Sequence, residues 1–189
     1  MKNLLILFLV LTVNLGCAQK TSDDVKTVFN RFQSLTENKN YNEYFDYYYS
    51  GFLKIVPKSG LLKDLEKLNS NENYEYQVKD SKVISISEIV EKDNIKYVLI
   101  KYGGNTHIKF NGNSDKEMIE LIKQNVQNTY GEKYSYSELN KEIVFYKDQE
   151  MIGITENGWK FFPYSERLET VIGEMISKEV LNELLTERK

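Results

Sequence analysis

The sequence predicts an α+β fold in which helices come first and antiparallel strands follow. Three observations carry that expectation. Apolar residues recur at helical spacing from Val25 to Phe52. From Val83 to Phe162 they instead form short runs set apart by polar, turn-forming residues. From Leu168 onward the helical spacing returns. No repeat, low-complexity tract or domain boundary breaks this order, so residues 22–189 are expected to form one domain.

Each element has its own signal. Ser22-Asp23-Asp24 is a helix cap with acids at the positive end of the helix dipole. Val25, Val28, Phe29, Phe32 and Leu35 then form one apolar stripe, and Asn38-Lys39-Asn40 ends it. Asn40 and Glu43 have the spacing of a capping box. Tyr41, Tyr44, Phe45, Tyr48 and Phe52 form the stripe of a second helix, paired with the first as a hairpin over a sheet. Pro57-Lys58-Ser59-Gly60 marks a turn, Leu61, Leu62, Leu65 and Leu68 a short third helix, and Asn69 to Asn73 a polar loop.

The strands follow. Val83 to Ser87 and Ile95 to Tyr102 are expected to pair around Lys92-Asp93-Asn94. Gly103-Gly104 reads as a bend or bulge, and His107 to Phe110 as a short strand. Ser114 with Glu117 suggests a second capping box, opening a helix to about Thr129, and this helix with the Tyr-rich stretch to Asn140 stands as an insertion between strands, over residues 111–140. Glu142 to Tyr146 and Met151 to Thr155 are expected to form a hairpin around Lys147-Asp148-Gln149. Asn157-Gly158 is a tight-turn signal before a strand from Trp159 to Phe162 that Pro163 ends. A C-terminal helix is expected over Lys178 to Leu185 behind Ser177.

Composition bounds the chemistry. The chain has 189 residues, with 25 Lys+Arg against 28 Asp+Glu and a formal net charge of -3. That balance, with no long basic run, argues against nucleic acid as the main partner. A single cysteine excludes an internal disulfide framework and a multi-cysteine zinc site. The phosphate-cradling G-x-G-x-x-G and G-x-x-x-x-G-K-[ST] motifs do not occur, nor does a calcium loop or the nucleophile elbow G-x-S-x-G. No cofactor and no metal are expected.

The first residues read as an address. Met1-Lys2-Asn3 supplies one positive charge, and Leu4 to Val13 is apolar but for Thr12. This is the pattern of a secretory signal, too short to span a bilayer of about 30 Å as a helix. Leu15-Gly16-Cys17 resembles the bacterial lipoprotein box, with Asn14 as a departure from it. The resemblance implies a signal peptide of residues 1–16 cut after Gly16. It also implies diacylglyceryl and palmitate-type acyl chains on Cys17, and a short tether over residues 17–21. Two or three acyl chains hold a protein stably on a membrane. The alternative, a cut by the ordinary signal peptidase, leaves Cys17 as a free thiol. Cys17-Ala18-Gln19-Lys20, in a chain rich in Lys, Asn, Tyr and Ile, is similar to lipoproteins of the Bacteroidetes. Asp23 and Asp24 resemble the acidic export signal of that group, and both the periplasm and the cell surface stay open as destinations.

Glu156-Asn157-Gly158-Trp159-Lys160-Phe161 resembles the late hairpin of the nuclear transport factor 2-like superfamily, as does the order of helices before strand hairpins. The resemblance implies N-terminal helices packed on a bent, cone-like antiparallel sheet, and it covers about residues 22–185. That superfamily holds small-molecule isomerases and dehydratases beside binding and dimerisation modules, so fold alone selects no activity.

In such a cone, His107, Tyr48 and Trp159 are the candidates for a pocket. Histidine is the side chain whose ordinary titration falls near neutrality, suited to a general base beside a carboxylate. Asp46, Asp64 and Glu88 are the candidate acids for that partnership. The spacing of Tyr41, Tyr44 and Tyr48 on one helix face favours core packing, with Tyr47 and Tyr49 left for contact surface. Trp159 is expected mainly in the core of the last hairpin. The resulting expectation is a lipid-anchored envelope protein of non-enzymatic binding or scaffolding type, meeting a protein partner or small ligand. The alternative is an isomerase or dehydratase with His107 as base.

Overall fold

The computed structural model describes residues 24–112 and 114–186. The expected signal peptide, the expected cleavage site at Gly16–Cys17 and the expected tether lie outside them. The described residues form an α+β unit with seven helices and one six-stranded antiparallel sheet that does not close.

Helix α1 covers 24–37 and buries Val25, Phe29, Phe32 and Leu35 of the expected stripe, with Val28 half-buried. The second helix of the hairpin is broken. Helix α2 spans only Tyr41–Tyr44, a 3-10 turn covers Phe45–Tyr47, and α3 resumes at Ser50–Ile55. Tyr48 between them is extended, with φ -76° and ψ 143°, and makes a parallel β-bridge to Phe161. The Tyr49 N–H donates to the Phe161 carbonyl at 3.0 Å. Pairing with a strand edge has overridden helical periodicity there. Asn40 caps nothing with its side chain, since its amide donates to Glu43 instead, at 3.0 Å. The expected turn at Pro57-Lys58-Ser59-Gly60 is the start of α4 (Lys58–Asn69), with Pro57 as the residue before the first turn.

The sheet consists of β1 (Tyr74–Ile86), β2 (Val90–Lys92), β3 (Ile95–Phe110), β4 (Tyr134–Ser137), β5 (Glu142–Thr155) and β6 (Trp159–Tyr164). The order is β1-β3-β5-β4, with β2 beside β3 and β6 beside β5. The expected hairpin at Asp93-Asn94 is present, and both residues have positive φ as a two-residue type I′ turn requires. The Asn157-Gly158 turn joins β5 to β6 as expected. Pro163 does not end β6 but sits opposite Met151 within it, which an edge strand tolerates.

Two central strands are longer than the sequence suggests. Strand β3 runs straight through Gly103-Gly104, and the bulge lies in β1 opposite, between Lys79 and Lys82, where Asp80 has a φ of 56°. Gly104 is needed for close approach rather than for backbone freedom. A Cβ there would stand 3.1 Å from the Lys79 carbonyl and 3.2 Å from Ser81 Cα, both main-chain atoms that cannot swing aside. Glu37 of α1 accepts from the Ser81 N–H at 3.0 Å and so satisfies the bulged backbone. Lys147-Asp148-Gln149 is likewise no turn. Strand β5 passes through it in unbroken register with β3, from Tyr97↔Ile154 to Lys109↔Glu142.

That register sorts side chains onto two faces. One face carries Val98, Ile100, Met151, Trp159 and Phe161 against α1. Farther along it, Phe110, Ile143 and Phe145 meet α5 (Lys116–Tyr130), the helix expected between strands. Its cap is Asp115, which accepts from the Met118 N–H at 2.6 Å, whereas Ser114 turns to the Asn73 carbonyl. The opposite face carries Tyr97, Leu99, Ile152, Ile154, Phe162 and Tyr164. Helices α3, α6 (Glu169–Gly173) and α7 (Lys178–Thr186), with Val90 of β2 and Ile176, supply the rest of that core. Ser177 starts α7 as expected, its carbonyl taking the Leu181 N–H at 3.0 Å.

Candidate functional site

The structure places Tyr48 and Trp159 at one buried cluster and sets His107 apart from both. Trp159 is buried on the α1 face of the sheet. Tyr48 packs between Phe32, Phe45 and Phe52. His107 follows the parity of Tyr97 and Leu99, so it points to the other face. It also lies nine residues along β3 from Val98, about 30 Å at 3.3 Å per residue.

The α1 face, where a cone-type pocket would lie, is filled with rings. Phe29 meets Phe161 edge-on at 5.1 Å and Tyr102 at 5.2 Å. Phe32 stacks on Tyr44 at 4.6 Å. Tyr47 and Tyr49, expected at the surface, also join the cores, against Phe32 at 6.3 Å and Phe162 at 5.7 Å. The break at Tyr48 turns them inward. Their hydroxyl neighbours form a polar seam within these rings. Tyr44 and Tyr48 share a hydrogen bond of 3.0 Å, Tyr44 also meets Thr36, and Tyr102 meets Gln33.

Burial pushes the phenols of Tyr44, Tyr48 and Tyr102 above their ordinary value. The sign of the consequence follows by linkage. The unfolded chain releases these protons near pH 10, while the folded chain holds them to higher pH. Their contribution is therefore complete below about pH 10 and is lost as pH rises through the raised values. Urea midpoints should fall steeply above about pH 10. Tyr102→Phe should soften that slope, and a midpoint unchanged by the substitution at every alkaline pH would discard the assignment.

His107 does find a carboxylate, but not an expected one. Its Nδ1 lies 3.0 Å from Glu142 Oε1, both side chains being about one-fifth exposed, at 20% and 23%. Asp46, Asp64 and Glu88 are not its partners in this contact. Around the pair, Lys109, Glu75 and Lys79 on the same face are exposed. Glu75 stands opposite Lys109, and Lys109 opposite Glu142, a row of alternating charge across three strands. Tyr146 lies across Gly103, where any Cβ would strike its hydroxyl.

A second feature was not foreseen. On its outer side β5 pairs with β4 from Glu142 to Phe145 and with β6 from Glu150 to Thr155. Residues 146–149 have no partner strand there. An open notch of about 640 Å³ occupies the place, lined among others by Lys101, Lys147, Asp148, Gln149 and Arg167. The signal for it was the polar triplet Lys147-Asp148-Gln149 in an apolar strand, flanked by no Gly, Pro or Asn that would make it a turn.

Among the described residues no three His, Cys, Asp or Glu side chains converge as a metal site, and no helix is long and apolar enough to cross a membrane. Compared with protein-family models, curated proteins and solved structures, the chain matches none of them.

Proposed function

We propose that the chain is a lipid-anchored protein of the bacterial cell envelope that works by binding, with Cys17 carrying the lipid and the domain meeting a protein partner or small ligand at its outer surface. The observation that carries the binding reading is the ring-filled α1 face. Phe29, Phe32 and Phe161 are fully buried there, which leaves accessible relief along the strand edge and on the stretch of the opposite face around His107, beyond the core under α3, α6 and α7. The anchor rests on Leu15-Gly16-Cys17 at the end of an apolar run. A nuclear transport factor 2-like domain is part of this reading, supported by helices preceding an open antiparallel sheet and by Trp159 and Phe161 entering the core from the last hairpin. Labelling of the full chain with radioactive palmitate, followed by detergent phase separation, tests the anchor. The expected result is label in the detergent phase, and an unlabelled chain would refute it.

The contact between His107 and Glu142 favours a second reading, an isomerase or dehydratase with the imidazole as base. It requires a substrate lying on the exposed sheet face instead of inside a cone. Under it, His107→Ala abolishes turnover by the full chain on a panel of ketone and hydroxyacyl substrates while the melting temperature holds. Turnover that survives the substitution removes this reading.

A further inference from the structure

We infer that residues 146–149 of β5 form a slot for an extended peptide, which would add there as a short strand. This rests on the reading of the chain as a binding protein and names its site and the chemistry of its partner. The register defines the slot. Strand β6 runs antiparallel to β5 and stops at Tyr164, opposite Glu150. Strand β4 runs the same way and starts at Tyr134, opposite Phe145. The two are therefore collinear, and the gap between them is about 17 Å, five residue steps of β5. A peptide of four residues running from the end of β6 to the start of β4 would complete that row antiparallel to β5.

The backbone supplies the attraction. Along a strand, alternate residues turn both N–H and C=O to opposite sides. Strand β3 takes one set, so two of the four residues present both groups outward, where only a strand or water can satisfy them. The outer edge of β1 is longer but unsuited, because register shifts at Lys79/Lys82 and Val83/Ser85 break its regular spacing. Within β5 the register is continuous. The notch beside it offers space for side chains, and the charges that line it are mixed, Lys101, Lys147 and Arg167 with Asp148, Glu150 and Glu166. That balance favours recognition of main chain over recognition of one charge. Lys133 reaches Asp148 across the slot at 3.9 Å, a solvated contact that an incoming strand displaces at little cost.

The test uses the full chain in detergent micelles and a blocked hexapeptide of alternating threonine and valine. Two N-methylated isomers of the peptide serve as controls, one methylated at odd residues and one at even. Backbone amide resonances are followed up to about 5 mM peptide. Shifts centred on residues 146–149, with about tenfold weaker binding for one isomer only, are the expected result. Shifts centred on β1, equal binding of both isomers, or no shifts at all would overturn the slot. The last outcome would leave Lys147 and Asp148 as charges that merely guard an edge. Palmitate labelling of Cys17 is independent of all three, so failure of the slot and failure of the anchored reading are told apart.

Discussion

Cys17→Ser is expected to abolish palmitate incorporation and to remove the mature chain from the detergent phase. The effect should be close to all-or-none. Each buried methylene contributes about 0.8 kcal/mol to membrane residence, so one acyl chain gives marginal binding and two or three give a hold that dilution does not reverse. Serine is nearly the same size as cysteine but offers no thiolate to form the thioether. Cys17 precedes the helix over 24–37, and the proposed anchor places it on a tether ahead of the domain, so the melting temperature of the domain should not move. Palmitate labelling of the serine variant at the wild-type level would refute the assignment.

Phe161→Ala is expected to cost about 3–5 kcal/mol, the largest loss of stability from any single truncation considered. Phe161 has no exposed surface. Its ring meets Phe29 at 5.1 Å and Phe32 at 5.3 Å, and Gly153 of β5 leaves the space it fills. A Cβ on Gly153 would lie 3.3 Å from the Phe161 ring and 2.8 Å from Val98. Those rings come from α1 and are held by a strand that also anchors Tyr48 through the bridge, so they cannot close over the void. For a domain of this size the loss corresponds to a melting temperature lower by roughly 10 °C. Leu139→Ala is the control. Leu139 is 93% exposed, and its truncation should stay within about 0.5 kcal/mol of zero. Equal midpoints for the two variants in urea would mean that the core is not built around Phe161.

The helices that stand on one uninterrupted stripe were legible from sequence. For α1, the spacing of Val25, Phe29, Phe32 and Leu35 named every residue that the structure buries. Helix α7 behind Ser177 and the turns at Asp93-Asn94 and Asn157-Gly158 follow from equally local chemistry. The second stripe misled because Tyr41, Tyr44, Phe45, Tyr48 and Phe52 have helical spacing, yet Tyr48 gains more from pairing with Phe161 than from continuing a helix. Lys147-Asp148-Gln149 misled in the opposite way. Three polar residues resemble a loop until a long neighbour holds them extended, and β3 does so across the whole register. Little of the candidate site was legible. His107 was singled out, but its partner Glu142 is 35 residues away and on another strand.

Interactions among neighbours within a few residues are enough for the α+β class, the order of helices before strands, the buried face of α1 and the two tight turns. These follow from spacing, capping and the φ that Asn and Gly accept. The face of the sheet to which His107 points depends on long-range strand pairing, because a one-residue difference in register would send it to the other. The same holds for the slot at residues 146–149. It exists because β4 and β6 meet β5 at separate ends, and no local pattern in β5 records where its partners stop.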